Sequence, residues 1–395
     1  MHRLKEFKAR WIFDDHAREY KLAHYSYRDG AEFESTLESS LRQLLARRLK
    51  NQFQATASLA PPYVGLQPFG MAERSIFFGR ARARAELRDQ MARQIERNTA
   101  ALLVIGSSGS GKSSVVMAGL LPDLYEPGMI AGYRLVGHSI TSPSSFDGDL
   151  MLGLARTVSE AIGPGPTGSN AISAETVAAI LDGSPEAVAA YLTEAVSARH
   201  PAKPSGSARC AIACFVDQAE EIFTIANVSD AMRERFFLAI AKLARSGVVW
   251  FIATLRSDFY DRLEQSPVFN QLAWRSGQYL LRPPDAHEVA QIITAPARKA
   301  GVSFERDAKA NLGLDDVIAD SAIKNRAALP LLQHLLHQLW MERSVAGELT
   351  FRTYEALGQL EGAIGRTAET VFARLDPMAQ KELERVMREL VTISR

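Results

Sequence analysis

One run of small residues that ends in lysine and serine has the composition of a phosphate-binding loop. Residues 106–113 read Gly-Ser-Ser-Gly-Ser-Gly-Lys-Ser and satisfy the pattern G-x-x-x-x-G-K-[ST]. Glycines let the backbone wrap around phosphates, the lysine reaches the β- and γ-phosphates, and the next hydroxyl binds Mg²⁺. The run predicts a site for ATP or ADP with Mg²⁺, with Ser113 as a metal ligand. We assign to it Gly106, Ser107, Ser108, Gly109, Ser110, Gly111, Lys112, Ser113 and Ser114.

A second candidate is the acid that ends the apolar run CAIACFV. We expect this residue, Asp217, to lie at the end of a strand that neighbours the loop's own strand and to hold Mg²⁺ through water. Glu220 and Glu221 follow it and are candidates to polarise an attacking water molecule, which needs a carboxylate within one water of the γ-phosphate. The alternative is that both acids only stabilise the start of the next helix.

A third candidate is Arg256, which follows the apolar run VVWFIATL. A polar residue at the tip of such a strand is placed where a parallel sheet presents groups to a ligand. The arginine could therefore sense the γ-phosphate. The alternative is an ion pair with Asp258 or Asp261, which follow closely in sequence.

The elements that must position these residues form an α/β pattern. The loop lies between the apolar run ALLVI and the helical run KSSVVMAGLL, and other runs alternate with helical segments, which predicts a parallel sheet with helices on both faces. After Pro283 and Pro284 we expect helices without further strands. The candidate strands are Ala101–Ile105, Tyr133–Ile140, Cys210–Val216, Val248–Thr254 and Gln278–Leu281, and the later helices are Glu288–Ala300, Leu329–Arg343 and Thr353–Leu375.

Two other segments receive simpler interpretations. The Gly/Pro/Ser-rich stretches 163–170 and 201–207 read as surface loops around an inserted pair of helices. The arginine-rich run from Arg80 to Arg97 is interleaved with acids and reads as a solvated helix face.

Composition excludes several partners. The 46 lysines and arginines nearly balance 45 aspartates and glutamates, so there is no general basic field and nucleic acid is not an expected partner. The chain has no uncharged stretch of membrane-spanning length and no signal peptide, so we expect no membrane contact. With only Cys210 and Cys214 present, a disulfide framework is excluded and a cytoplasmic location is expected.

Several motifs in order resemble those of the novel STAND NTPases of bacteria. They run from about Pro61 to Leu375 and include PPYVGLQPF, FFGR, GSSGSGKSS, FVDQAEEIF, TLRSDFYDRL, LPLLQHLLHQLW and LEGAIGRTAETVF. The resemblance implies a P-loop NTPase fold of the AAA/STAND type: a parallel sheet, a helical lid and the start of a winged helix. It also implies that Phe78, Gly79, Arg80 and Pro330 lie near the adenine, that Asp217 is the Mg²⁺ acid and that Arg256 is a sensor.

The resemblance implies four parts of the chain. They are the tail of an N-terminal effector-type domain at 1–58, a P-loop NTPase core at 59–284, a helical lid at 285–345 and an incomplete winged helix at 346–395. We interpret the chain as truncated at both ends. In the full-length protein, the resemblance implies ATP-dependent homo-oligomers and a ligand or protein signal sensed by the missing C-terminal region.

Three functions fit these features. The first is a signalling or antiviral-defence switch that alternates between ADP and ATP and hydrolyses ATP slowly, because Gln218 and not glutamate follows Asp217. The second is a turnover ATPase that remodels nucleic acid or protein. The third is a remnant that binds nucleotide without an output.

Overall fold

The structure, a computed structural model, describes residues 61–164, 172–200, 208–271, 276–307, 311–324 and 329–390, together with 13–14 and 19–20. The chain divides into two compact units, Met1–Ala60 and Pro61–Arg395. In the first unit, β1 (Phe13–Asp14) pairs with β2 (Glu19–Tyr20) in antiparallel fashion. The rest of the predicted effector-type segment, and most of the two predicted Gly/Pro/Ser-rich loops, lie outside the described residues.

The second unit is built around a five-stranded parallel sheet. The predicted strands are confirmed, with ends that differ by at most two residues. They are β3 (Ala101–Gly106), β4 (Tyr133–Thr141), β5 (Arg209–Val216), β6 (Val249–Arg256) and β7 (Gln278–Leu280). Their order across the sheet is β4-β5-β6-β3-β7. Parallel pairing requires a crossover between successive strands, and helices provide these crossovers.

Helices cover both faces of this sheet, as predicted, and the inserted helical pair is also confirmed. Ser229 starts one of the helices by accepting a hydrogen bond from the Met232 N–H, as an N-cap does. The helices are α1 (Ala81–Glu96), α2 (residues 112–124, comprising Lys112–Ser114, a π-helical stretch Val115–Leu120 and Leu121–Leu124), α3 (Leu150–Ile162), the inserted pair α4 (Ala174–Leu181) and α5 (Pro185–Arg199), α6 (Asp230–Arg245), α7 (Tyr260–Glu264) and α8 (Pro267–Gln271). Short 3₁₀ turns occupy Ala72–Ile76, Pro143–Phe146, Ala219–Phe223 and Ser257–Phe259.

Alternation along the strands divides the core into two layers. On β3, Leu102 and Val104 pack with residues of α1 and α2, whereas Leu103 and Ile105 pack with residues of α3 and α6. Successive side chains of a strand point to opposite faces, so a strand buried on both faces reads as a continuous apolar run. This is why the strands could be found from sequence.

The region after the sheet is helical and has its own core. Its helices are α9 (Ala286–Ala300), α10 (Leu314–Lys324), α11 (Leu329–Met341), α12 (Phe351–Ala356), α13 (Gln359–Phe372) and α14 (Pro377–Leu390). Asp285 and Glu288 form a capping box that starts α9, and Gly301 ends that helix in the left-handed region. None of the described helices combines the length and the hydrophobicity that a membrane span requires.

Two predictions about this region are wrong. Short strands do occur: β8 (Ser303–Phe304) pairs with β11 (Glu348–Leu349), and β9 (Arg306–Asp307) pairs with β10 (Leu312–Gly313). Pairs of two residues are too short to show alternation in sequence. The predicted helix Thr353–Leu375 is split into α12 and α13, because Gly358 and Gln359 adopt left-handed φ angles of 79° and 62° and interrupt the helical backbone.

Candidate nucleotide site

The predicted phosphate-binding loop joins the end of β3 to the start of α2. Gly109 and Gly111 have φ angles of 72° and 86°, a region that glycine enters without steric cost. The Lys112 Nζ donates hydrogen bonds to the carbonyl oxygens of Gly106 (3.0 Å) and Ser107 (2.9 Å). Burial lowers the pKa of Lys112, and the nearby charges of Glu220 and Asp217 oppose this shift. The ammonium group thus lies inside the curve of the loop.

Asp217 lies beside the loop serine that was predicted as its metal-binding partner. Its Oδ1 accepts hydrogen bonds from Ser113 Oγ (2.8 Å) and from Thr254 Oγ1 (2.5 Å). A hydroxyl and a carboxylate at this separation provide the oxygen ligands that Mg²⁺ prefers. These two residues therefore fit a Mg²⁺ ion shared with a nucleotide phosphate.

The expected neighbour relation between strands is wrong in one respect. β5, which precedes Asp217, does not pair with β3, because β6 lies between them. Thr254 is buried near the end of β6, the strand that lies between β5 and β3. It donates to Asp217 and accepts from the Gln218 N–H at 2.8 Å. The carboxyl ends of all three strands meet at one edge of the sheet, so Asp217 still reaches Ser113.

The two glutamates after Asp217 are held by backbone groups. Glu220 is buried, and its Oε2 accepts a hydrogen bond from the Arg256 N–H at 3.1 Å. Glu221 accepts a hydrogen bond from the Ser144 N–H at 2.8 Å. Neither side chain lines the cavity at the loop, whereas Gln218 does. Their catalytic role stays a prediction.

Arg256 forms the ion pair that was the alternative to a sensor role. Its guanidinium donates to both carboxylate oxygens of Asp258, at 3.1 and 2.7 Å, and lies 5.5 Å from the centre of the Phe259 ring. The side chain is 42% exposed and does not line the cavity. The sensor role therefore also stays a prediction.

A cavity of about 300 Å³ extends from the loop to the helical region. This volume is within the range of small-molecule sites. One part is polar and is lined by Gly109, Gly111, Lys112, Ser113, Ser114, Asp217 and Gln218. The other part is largely apolar and is lined by Leu66, Pro68, Phe78, Ile292, Pro296, Leu329 and Pro330, with Gln333 among them. Phe78, Arg80 and Pro330 thus line the same cavity as the loop.

Arg80 joins the loop to the connection between the sheet and the helical region. It donates hydrogen bonds to the carbonyl oxygens of Ser110 (2.8 Å) and Arg282 (2.9 Å), and lies 3.9 Å from Glu288. Burial lowers the pKa of this guanidinium, while the charge of Glu288 opposes the shift. The interpretation of the arginine run as a solvated face is wrong for Arg80, which is 4% exposed and precedes α1.

Gly79 allows the chain to pass closely over α9. Its φ is 74°, and an added Cβ would overlap the Glu288 carbonyl oxygen and lie 2.5 Å from Ile292 Cγ1. We expect Gly79→Ala to lower the free energy of unfolding by about 3 kcal/mol, combining left-handed backbone strain with overpacking. Chemical denaturation measures this change.

Gly128→Ala is the matched control for that substitution. Gly128 has a φ of 79° but no atom within 4 Å of the added Cβ, so the cost of about 1 kcal/mol comes from the backbone alone. Equal destabilisation by the two variants would contradict the close packing of Gly79 on α9.

The cavity or support residues that were not identified as site residues from sequence include Gln218, Thr254 and Gln333. Thr254 could have been found, because it is the polar residue near the end of an apolar strand beside the acid-bearing strand. Gln333 had no local signal, because its place on the cavity depends on how α11 packs against the loop.

Comparisons with known proteins identify the family of this chain. Residues 62–395 match the family described as Novel STAND NTPase 1. A search of curated proteins found no match. The chain is similar to the solved structure of the Walker-type ATPase PABY2304 of Pyrococcus abyssi, with 17% identity and a TM-score of 0.42, covering 82% of this chain and 79% of that one.

Two further solved structures are similar at low identity. The ORC2 protein of Aeropyrum pernix, determined in ADPNP and ADP complexes, has 12% identity and a TM-score of 0.45, with 71% of this chain and 64% of that chain covered. PCH-2 of C. elegans has 12% identity and a TM-score of 0.33, with 76% and 72% covered.

Proposed function

Because the chain belongs to the Novel STAND NTPase 1 family, we propose that it is a nucleotide-dependent switch that binds ATP and ADP with Mg²⁺. We further propose that it hydrolyses ATP slowly and that its output is signal transduction or defence. Lys112 would contact the β- and γ-phosphates, and Ser113 with Asp217 would hold the metal. Held by these two residues, a Mg²⁺ ion would supply positive charge beside the phosphates.

One observation supports a switch most strongly: the cavity is formed jointly by the sheet and the helical region. Lys112 and Asp217 follow strands of the sheet, whereas Ile292 lies on α9 and Pro330 on α11. A ligand that contacts both parts can stabilise one of their arrangements over another. ATP and ADP would differ in this effect only through contacts to the γ-phosphate.

Hydrogen bonds connect α11, which lines the cavity, to two neighbouring segments. On α11, His334 is buried and forms a hydrogen bond of 2.9 Å with Thr367 of α13. His337, one turn further along, forms a 2.8 Å hydrogen bond with the Tyr63 carbonyl oxygen. A movement of α11 would therefore disturb its contacts both with α13 and with the segment before α1.

Hydrogen exchange tests the switch directly. We expect the amides of α11 and α13 to exchange at different rates with ADP bound and with a non-hydrolysable ATP analogue bound, because the two ligands would hold the helical region differently. The strands β3 and β5 serve as an internal control and should not differ. Identical exchange of α11 and α13 in both states would exclude a switch in these residues.

The groups that line the cavity support the proposal of slow hydrolysis. Among the described lining residues, Asp217 is the one carboxylate, and its Oδ1 is already bonded to Ser113 and Thr254. We expect Gln218→Glu to raise the rate of phosphate release at least about 10-fold, because it places a general base at the cavity wall. A phosphate-release assay at saturating ATP measures this rate.

Two variants make that prediction specific. Gln218→Ala should not raise the rate, because it adds no base. Glu220→Gln combined with Glu221→Gln should retain ATP and slow the residual turnover if either acid orients water. An unchanged rate in both Gln218→Glu and the double variant would show that the rate is limited elsewhere.

A further inference from the structure

Gln333 carries a buried polar atom without a partner at the apolar part of the cavity. It lies on α11, one turn after Pro330, and the residue is 8% exposed. Its side chain lines the cavity, and its Oε1 has no hydrogen-bond partner among the described residues. The flanking lining residues Pro330 and Leu329 supply no side-chain donor to it.

An unpartnered acceptor in this setting has a cost that a ligand can remove. A buried polar atom that has lost water without gaining a hydrogen bond destabilises the folded chain, and proteins rarely keep such atoms without a role. Gln333 lines a cavity and not the sealed core, so a rotation of its side-chain amide would present Oε1 to a bound molecule. The missing partner must be a hydrogen-bond donor.

The chemistry of ATP selects that donor. When the triphosphate lies at Lys112, the apolar part of the cavity is left for the base. Leu329 lines that part and lies close to the loop, because its Cδ1 is 3.7 Å from the position that a Cβ added to Gly111 would occupy. Adenine carries one N–H donor group, the amino group at position 6, and its ring nitrogens are acceptors. An apolar slot with one acceptor fits this pattern.

We propose that Gln333 determines base specificity by accepting a hydrogen bond from the 6-amino group of adenine at Oε1. The assignment rests on the proposed binding of ATP. Lys112 and Asp217 would act on the phosphates, which all nucleotides share, so they cannot select the base. Gln333 would select it through a side chain on α11.

The test compares ATP with purine riboside triphosphate, which lacks only the 6-amino group. We expect the wild-type chain to bind ATP about 10-fold more tightly, the effect of one hydrogen bond to a buried acceptor. Gln333→Met keeps the length of the side chain and removes its polar atoms. It should bring the ratio of the two dissociation constants close to one by weakening ATP binding alone.

A matched control is available on the same helix. Gln338 lies on α11 but does not line the cavity, so Gln338→Met should keep the wild-type ratio. The wild-type measurement needs no variant, so a ratio near one would overturn the proposal even if Gln333→Met does not fold.

Four outcomes would overturn the proposal. If the wild-type chain binds both triphosphates with equal dissociation constants, it does not recognise the 6-amino group, although it does bind nucleotide. A Gln333→Met ratio equal to the wild-type ratio excludes Gln333 as the reader. If Gln333→Met instead loses discrimination between ATP and 3′-deoxy-ATP, the donor is a ribose hydroxyl. Wild-type chain that binds neither triphosphate overturns the proposed function as well.

Discussion

Replacing Lys112 with alanine is expected to weaken ATP binding about 100-fold while the chain remains folded. The ammonium group lies within the loop, bonded to the carbonyl oxygens of Gly106 and Ser107, and is the one cation among the described loop residues 106–114. Hydrogen bonds from a charged donor to phosphate contribute about 1.5–3 kcal/mol each, and the lysine can reach two phosphates. Fluorescence titration with a labelled ATP analogue measures the affinity.

The control for this variant is another lysine substitution. Lys324 is exposed on α10 and pairs with Asp320, so Lys324→Ala should bind ATP as the wild-type chain does. Thermal unfolding without nucleotide establishes that Lys112→Ala is folded. An unchanged ATP affinity in folded Lys112→Ala would refute the assignment of the loop.

Replacing Asp217 with asparagine is expected to remove most of the effect of Mg²⁺ on ATP affinity. Asparagine keeps an acceptor at Oδ1 for Ser113 and Thr254, so the local hydrogen bonds can persist. The substitution removes the negative charge that a divalent cation requires. We expect the affinity gained on adding Mg²⁺ to fall about 10-fold or more in the variant, as measured by titrations with Mg²⁺ and with EDTA.

Asp258→Asn separates this effect from a general loss of negative charge. Asp258 lies near the same edge of the sheet but pairs with Arg256 and does not line the cavity. Its variant should respond to Mg²⁺ as the wild-type chain does. If Asp217→Asn keeps the full Mg²⁺ response, the metal is held by other groups.

Much of the sheet and the loop could be predicted from sequence for a physical reason. Strands buried on both faces give continuous apolar runs, and the loop's glycines and lysine have a fixed spacing. The approach of Asp217 to Ser113 was also predictable, because both follow strands whose carboxyl ends meet at one edge. The family match over residues 62–395 agrees with the predicted resemblance.

Other features could not be predicted, because they depend on competing interactions or on packing that the sequence pattern does not specify. At Arg256, the ion pair with Asp258 competes with a ligand contact, and the sequence offered both. The strand order, with β6 between β3 and β5, depends on how crossovers return to the sheet. The place of Gln333 on the cavity depends on the packing of α11 against the loop, which has no signature within the helix itself.

The break at Gly358 is a different case, because a local signal was present. Glycine is strongly favoured where a helix ends in the left-handed conformation, and Gly358 lies between two helical runs. The apolar periodicity continued through it and favoured one long helix. Gly358 and the next residue, Gln359, both adopt left-handed φ angles, of 79° and 62°, so the break outweighed the apolar periodicity.

The central claim is that the cavity between the loop and the helical region binds an adenine nucleotide with Mg²⁺. Calorimetric titration of ATP and of ADP into the nucleotide-free wild-type chain tests it most directly. We predict one bound nucleotide per chain for either ligand. We also expect ATP to bind more tightly in the presence of Mg²⁺ than in its absence. A folded chain that binds neither ATP nor ADP, with or without Mg²⁺, would contradict the account.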